Sequence, residues 1–467
     1  MVFSSISFLY YFLPLALVCY FLTPVKYRNL MLFFVSLAFY FYGEPRYVLL
    51  MLATILSSYI NGQLIEKYRG TKYQKIGLIL DIIISLGLLG FFKYSNFIIE
   101  NINNLTKADL ALFKVVLPVG ISFYTFQTLS YSIDVYRGAI KAQKNFITLG
   151  TYVVLFPQLV AGPIVRYSEI EQELIQRNSS YHDIALGFRR FILGLTKKVI
   201  IANNLGLLGQ IFITSTAPTV LFYWLSTLSY MLQIYFDFSG YSDMAIGLGR
   251  IFGFTFPENF NYPYVAKSIT DFWRRWHMTL SFWFKDYLYI PLGGSRTTKF
   301  KYYRNLLIVW FLTGLWHGAA WNFIVWGFYF GGILIIEKLG LLQLLKKVPT
   351  ALQHLYTLMI VYFSWLIFNA TSLAEMVYSF KALFGLTALP LINQETWYYL
   401  TSYGLIIIIA VLGATPLLRN LIQKVKQQEK GLKLINALEP LILTGLLVAA
   451  TAYLIDSSFN PFIYFRF

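Results

Sequence analysis

Residues 306–336 read LLIVWFLTGLWHGAAWNFIVWGFYFGGILII, an apolar stretch in which only His317 can carry charge near neutral pH. An α-helix of about 20 such residues crosses the hydrocarbon core of a bilayer. Similar stretches recur throughout the 467 residues, of which 57% are hydrophobic and only 13% charged. Counting about 10 to 12 of them at this length, we predict an all-α, polytopic integral membrane protein built as a helical bundle.

The net charge of +17 is compatible with nucleic-acid binding, but its distribution argues against it. Basic residues concentrate in alternate loops between the apolar stretches, as expected when Lys and Arg stay on the cytoplasmic side. We therefore predict a lipid bilayer as the partner, no nucleic acid, and both termini outside. The basic loops after the first, third and fifth spans contain Lys26 and Arg28; Lys67, Arg69, Lys72 and Lys75; and Arg137, Lys141 and Lys144.

The middle of the chain departs from the pattern of simple spans. Residues 240–304 are rich in Arg and Lys and are interrupted by Gly and Pro. Irregular backbone at membrane depth is tolerated only where protein or a water-filled cavity covers it, so we predict interfacial or re-entrant structure around a cavity. Residues 146–163 are predicted to form a second re-entrant segment. Without a separate soluble segment, 1–467 is predicted to be one multi-span domain, with its catalytic core at roughly 115–340.

His277 lies in a run from 268 to 289 whose apolar residues have helical spacing, which predicts one amphipathic helix. Ser268 is a candidate N-cap of this helix. His277 falls at the edge of the apolar stripe, on the same side as Thr270 and Ser281. There it either contacts a cavity or extends to the surface from a helix that lies in the membrane interface.

His317 poses a sharper question because it lies inside an apolar span. An ionisable side chain at membrane depth usually faces a polar cavity and indicates function. Gly314 and Gly318 have the spacing of a small-residue helix contact, so the alternative is close helix packing with His317 bonded to a neighbouring helix.

Polar side chains on other apolar segments are predicted to line the cavity or to hold helices in register through ion pairs. They are Gln127, Gln233, Asp237, Tyr241 and Asp243, with Arg137, Arg274 or Arg275 as candidate partners of the two aspartates. Four scattered histidines and one cysteine match no metal-binding spacing, so no metal site and no bound cofactor are predicted.

Several separated motifs together resemble the membrane-bound O-acyltransferase family. They are RRWHMTLS at 274–281, YLYIPLGGS at 287–295 and GLWHG at 314–318. The segments MVFSS at 1–5, FPQLVAGP at 156–163, DFSGYSD at 237–243 and PFIYFRF at 461–467 are similar to the bacterial branch of alginate O-acetylation proteins.

The resemblance implies a funnel-like helical fold around a tunnel in the bacterial plasma membrane. It makes His317 and His277 the catalytic residues, with Trp276, Ser281, Trp316 and Asn322 as supporting tunnel residues. It also implies a cytoplasmic acyl thioester donor such as acetyl-CoA, for which Arg274 and Arg275 are candidate binding residues. The acyl group would pass outward to a surface glycan, directly or through an extracellular or periplasmic partner acyltransferase.

Two imidazoles suit acyl transfer, which needs a base for the acceptor hydroxyl and a donor for the oxyanion. His317 is predicted to be the base and His277 the donor, and a covalent acyl-histidine is the alternative. Three other functions remain open at this point: D-alanyl transfer to teichoic acid from a carrier protein, transport of a polysaccharide precursor, and a non-catalytic scaffold.

Overall fold

The computed structural model describes residues 2–456 and 459–461, and all regular secondary structure in them is helical. Met1 of the opening motif and residues 462–467 of the closing motif lie outside the described residues. Two compact units make up the chain. The first consists of Met1–Phe191 and Met244–Pro257, and the second of Ile192–Asp243 and Glu258–Phe467.

Twenty-one α-helices follow one another along the described chain. They are α1 (Leu13–Leu22), α2 (Arg28–Gly43), α3 (Val48–Lys67), α4 (Lys72–Thr106), α5 (Ile121–Arg137), α6 (Phe146–Val154), α7 (Phe156–Leu159), α8 (Tyr167–Ile175), α9 (Tyr181–Thr196), α10 (Asn203–Thr214), α11 (Val220–Ile251), α12 (Ile269–Trp273), α13 (Met278–Phe284), α14 (Lys299–His317), α15 (Trp321–Ile336), α16 (Leu342–Leu345), α17 (Thr350–Asn369), α18 (Leu373–Leu383), α19 (Gln394–Gly413), α20 (Leu417–Lys426) and α21 (Glu429–Asp456). Short π-helices lie at Phe8–Phe12, Lys197–Ala202, Lys285–Tyr289 and Glu337–Leu341, and 3₁₀ turns at Val25–Tyr27, Pro45–Tyr47 and Pro263–Val265.

Within residues 2–456 and 459–461, seven helical stretches are long and apolar enough to cross a membrane. They are Pro45–Lys67, Lys72–Thr106, Tyr181–Thr214, Trp321–Leu345, Thr350–Asn369, Gln394–Gly413 and Glu429–Asp456. The more polar helices α5, α11 and α14 have 17, 32 and 19 residues. This architecture confirms the predicted all-α, polytopic membrane fold.

Helix α4 has one face that packs on protein and a remaining apolar surface that is suited to lipid. Every fourth residue from Gly77 to Lys93 is buried, while most of the remaining surface exposes Ile and Leu. Since 3.6 residues make one turn, this spacing puts the buried residues on one face. That face packs on protein, and the apolar remainder is suited to lipid.

Helices α14 and α15 cross closely at their glycines. A Cβ atom on Gly314 would lie 2.3 Å from the Phe323 carbonyl oxygen, and one on Gly327 would lie 2.4 Å from that of Trp310. Only glycine permits this backbone approach, so the helix contact predicted from the spacing of Gly314 and Gly318 is confirmed.

The broken backbone predicted for 240–304 is present but shorter. Helix α11 continues to Ile251 and α14 begins at Lys299, and only short helical pieces lie between them. Residues 146–163 also contain two short helices, α6 and α7, which are separated at Leu155. The single catalytic core at 115–340 stays a prediction.

Candidate active site

The continuous helix predicted from 268 to 289 is wrong. Helix α12 ends at Trp273, His277 has left-handed backbone angles (φ 43°, ψ 53°), and α13 begins at Met278. Backbone hydrogen bonds from a distant segment replace the helical ones: Asn261 N–H donates to Arg275 O at 2.9 Å, and Met278 N–H to Asn259 O at 3.0 Å. Tertiary hydrogen bonds therefore override the helical spacing of the side chains.

The start of α12 is fixed by two side chains. The predicted N-cap is confirmed, because Ser268 Oγ accepts the Asp271 N–H at 3.0 Å. Glu337, which sequence reasoning missed, is buried at the end of α15, and its carboxylate accepts the N–H groups of Ile269 (2.6 Å) and Thr270 (2.9 Å). An anion at a helix N-terminus satisfies donors that have no partner within the helix.

His277 is held by Asn259, a residue that sequence reasoning missed. Its Nδ1 lies 3.0 Å from Asn259 Oδ1, which also accepts from Thr279 Oγ1 at 2.9 Å. The amide nitrogen of Asn259 donates to Ser242 Oγ at 3.0 Å, which fixes the orientation of the amide. Because a carbonyl oxygen only accepts, Nδ1 carries the proton and Nε2 carries the lone pair of the neutral ring.

Burial decides between the two interpretations of His277. The residue is only 1% exposed, so a side chain that extends from an interfacial helix to the surface is ruled out. His277 lies outside the seven candidate spans, and burial lowers its pKa to about 3. The ring is therefore neutral at physiological pH.

His317 is the last residue of α14 and is 2% exposed. Aromatic rings pack around it: its ring centroid lies 5.0 Å from that of Trp316, 5.0 Å from that of Trp326 and 5.3 Å from that of Phe368. Asn322 Nδ2 donates to the Phe368 carbonyl at 3.0 Å and so holds this wall of the site.

The two histidines converge on one indole. Trp316 has its ring centroid 6.0 Å from that of His277 and 5.0 Å from that of His317. The structure thus brings together both imidazoles and Trp316, although 40 residues separate the histidines in the sequence.

The tryptophan rings that pack around Trp326, which we call the aromatic wall, also contain hydrogen-bond donors that are not used. The indole N–H groups of Trp273, Trp326 and Trp365 are buried and have no acceptor among the described residues. Trp326 lies beside His317, and its ring centroid is 6.4 Å from that of Trp365. Buried Trp N–H groups normally find an acceptor, so these donors are available to a substrate oxygen.

A cavity of about 240 Å³ runs along α13 and α14. Its α13 wall includes Ser281, one turn after His277, and its α14 wall includes Thr313, one turn before His317. Basic side chains from three segments also line it, namely Arg274, Lys285 and Lys338. The cavity therefore combines an apolar interior with cationic groups.

The other predicted site residues have varied positions. Trp276 packs in the core of the second unit, 4.9 Å from Trp365 between ring centroids. Arg275 is not among the residues that line the cavity, and it pairs with Asp271 at 2.9 Å. Gln233 and Tyr241 are buried in α11. Gln127 is buried in α5, which belongs to the first unit.

The ion-pair partners predicted for the aspartates were wrong. Asp237 pairs with Lys198 at 2.5 Å in a buried contact, and Asp243 pairs with Lys197 at 2.7 Å. Both lysines come from the π-helix Lys197–Ala202 and not from the arginines near His277. The interpretation that Asp237 holds helices in register is thereby supported.

A multi-pass helical protein with buried imidazoles, free indole donors and an adjoining basic cavity has the parts of an intramembrane group-transfer enzyme. The model of MBOAT, the membrane-bound O-acyltransferase family, matches residues 139–380, which include both histidines. The chain belongs to the membrane-bound O-acyltransferase family, as the motifs predicted, and is a multi-pass membrane acyltransferase.

Three relatives indicate the range of this family. The probable alginate O-acetylase AlgI of Azotobacter vinelandii is 38% identical over 500 aligned residues, covering 100% of both chains. The peptidoglycan O-acetyltransferase of Helicobacter pylori is 36% identical over 84% of this chain and 81% of its own. The teichoic acid D-alanyltransferase of Bacillus subtilis is 33% identical, but over only 45% of this chain and 56% of its own.

Proposed function

We propose that the protein is a plasma-membrane O-acetyltransferase that takes acetyl from a cytoplasmic thioester, acetyl-CoA, for O-acetylation of a cell-surface polysaccharide. Similarity to the alginate O-acetylase extends over the whole chain, whereas similarity to the D-alanyltransferase covers less than half. This difference favours acetyl over D-alanyl. The basic loops support a cytoplasmic entry for the donor, with outward delivery to the glycan or to a partner acyltransferase.

The observation that carries the proposal is the convergence of two buried imidazoles on Trp316. In the reaction, His317 takes the proton of an acceptor hydroxyl. The hydroxyl oxygen then bonds to the acyl carbon, the carbon–sulfur bond breaks, and the thiolate leaves and takes up a proton. His277 presents the Nε2 lone pair, which suits a second base or the nucleophile of an acyl-histidine route.

Because of its tautomer, His277 has no N–H group directed at a substrate, so another residue has to donate a hydrogen bond to the oxyanion. Its Nδ1–H is directed to Asn259, and a second proton is disfavoured by its low pKa. The indole N–H of Trp326, buried beside His317, is a better donor for the negative charge on the acyl oxygen. This donor is already in position before the reaction starts.

The basic cavity supplies the donor site in this scheme. Arg274, Lys285 and Lys338 would bind the phosphates of coenzyme A, and the apolar walls along α13 and α14 would guide the thioester toward the histidines.

The test is His317→Gln in cells and in purified protein. We expect polysaccharide O-acetylation to disappear while the amount of membrane-inserted protein stays unchanged, and labelled acetyl-CoA to remain uncleaved. His182→Gln, a substitution of an exposed histidine, is the matched control and should retain activity. Full acetylation in His317→Gln would refute the catalytic role.

Chemical analysis of the released acyl group separates the remaining candidates. Acetyl supports the proposal, whereas alanine would identify a D-alanyltransferase. A transporter or scaffold would leave acetyl-CoA intact even in the wild-type protein.

A further inference from the structure

Two arginines in the first unit lie near the same tyrosine ring. The guanidinium carbon of Arg28 lies 4.8 Å from the centroid of Tyr20, and that of Arg177 lies 5.7 Å from it. Arg177 also lies 4.5 Å from the centroid of Phe254. The aromatic rings stabilise both cations, but they supply no negative charge.

Arg177 is fixed in place by three hydrogen bonds. Its Nε donates to Tyr20 Oη at 3.1 Å, and its Nη1 donates to Asn29 Oδ1 at 2.6 Å and to Glu173 O at 3.2 Å. Tyr20 in turn donates to the Phe252 carbonyl at 2.6 Å. Arg177 is only 6% exposed, so its guanidinium is rigid and largely removed from water.

Both guanidinium groups retain donors that this network does not use. Arg177 Nη2 and Arg28 Nε are buried and have no hydrogen-bond partner within the described part of the chain. The nearby carboxylate, Glu173, accepts the Thr255 N–H through Oε1 and forms no ion pair with either arginine there. Burial lowers the pKa of Arg177 and the positive charge of Arg28 acts in the same direction, while Tyr20 and, more weakly, the Glu173 carboxylate oppose this decrease.

Two neighbouring cations with spare donors form a receptor for an anion. Guanidinium groups bind phosphate oxygens through paired hydrogen bonds, and burial strengthens such contacts. Arg28 is half-buried, so the pair can be reached from the surface.

The surroundings indicate which anion binds. Apolar side chains next to the arginines in the sequence are exposed: Leu22 by 79%, Val25 by 57% and Ile175 by 69%. These side chains suit acyl chains, whereas a soluble phosphate would leave them uncovered. Lys26 and Arg28 also belong to a loop that is predicted to be cytoplasmic, where anionic lipids attract basic residues.

We infer that Arg28 and Arg177, whose guanidinium groups both lie near the Tyr20 ring, form a binding site for the phosphate of an anionic phospholipid. The headgroup phosphate bridges the two guanidinium groups, and its acyl chains lie against Leu22, Val25 and Ile175. This site belongs to the first unit and is independent of the proposed acyl transfer.

The experiment measures thermal unfolding of the purified full chain in detergent during titration with lipid. Phosphatidylglycerol is compared with phosphatidylcholine of the same acyl chains and with inorganic phosphate. We expect phosphatidylglycerol alone to raise the Tm, with half-saturation at about tenfold higher lipid in Arg28→Gln, as the loss of one charge-assisted contact predicts.

Lys26→Gln is the matched control, because it removes the same charge from an exposed neighbour in the same loop. It should bind phosphatidylglycerol as the wild type does. Arg28→Lys keeps the charge but loses the planar guanidinium, and should show an intermediate affinity.

Three outcomes would overturn the inference. The first is an equal rise with phosphatidylcholine, and the second is equal half-saturation in Arg28→Gln and Lys26→Gln. The third is a full rise with inorganic phosphate, which would assign the site to a soluble anion. None of these outcomes depends on acetyl-CoA cleavage.

Discussion

His277 and His317 are both buried in the second unit, but different interactions hold them. His317 ends a regular helix, and aromatic rings and the close α14–α15 crossing fix its position. His277 lies where two short helices meet, and hydrogen bonds through Asn259 fix both its backbone and its tautomer. Packing therefore positions one imidazole, whereas a polar network positions the other and also sets its protonation.

The sharpest test of the His317 region is Trp326→Phe. This substitution keeps the aromatic wall but removes the buried N–H that we assign to the oxyanion. We expect kcat to fall by about 100- to 1,000-fold, as for other preorganised oxyanion donors. Steady-state acetyl-CoA cleavage measures the effect.

Trp310→Phe provides the comparison, since this tryptophan belongs to the same aromatic cluster, with its centroid 6.2 Å from that of Trp326. Equal losses in the two variants would mean that ring packing, and not the N–H group, is responsible.

On the His277 side, Asn259→Leu removes the acceptor for Nδ1–H. We expect kcat to fall by about 100-fold, because the tautomer is no longer fixed, with little change in KM. Asn259→Asp retains an acceptor at this position and should recover part of the rate. Identical losses in both variants would contradict control of the tautomer.

A third test disturbs packing directly. Gly314→Ala places a Cβ atom against the Phe323 carbonyl, so α14 and α15 must separate, at a cost of about 2 kcal/mol. Thermal unfolding should show a lower Tm than in the wild type.

Gly332→Ala is the matched control, because a Cβ at this position of α15 meets no atom within 4 Å. It should leave the Tm unchanged or raise it slightly, since Ala favours helix. A decrease equal to that of Gly314→Ala would refute the helix-crossing argument.

The smallest expected effect is the pH dependence of stability due to His277. Its pKa is about 3 in the folded protein, below the ordinary value of 6.5. As the pH falls below 6.5 the unfolded chain gains a proton that the folded chain does not, so stability decreases. Between pH 7 and 5 this residue should account for about 2 kcal/mol of that decrease.

His277→Gln lacks this proton uptake. Its Tm should therefore fall less between pH 7 and pH 5 than the Tm of the wild type. Equal decreases would show that His277 is already protonated in the folded protein at pH 5.

The same contrast explains what could be predicted from the sequence. Helices α14 and α15 follow from their apolar composition, and their crossing follows from Gly314, because both signals are local. The broken segment was evident from its Gly, Pro and charged residues. These local patterns were sufficient to predict the membrane fold, whereas the two histidines were selected through the resemblance of several separated motifs to a known family.

The supporting residues could not be predicted in this way. Asn259 acts on His277 from 18 residues away, and Glu337 acts on α12 from 68 residues away. Neither belongs to a spacing pattern, and the hydrogen bonds of Asn259 break the helix that the apolar stripe around His277 predicts. Interactions between distant segments decide this part of the site.

Glu337 has a mechanical consequence for substrate entry. Its carboxylate joins the end of α15 to the start of α12 and accepts from Tyr356 of α17 at 3.2 Å. Separating these helices would leave a buried anion without donors, at a cost of several kcal/mol. The three helices should therefore move as one rigid body, so that any widening of the cavity has to occur along its other walls.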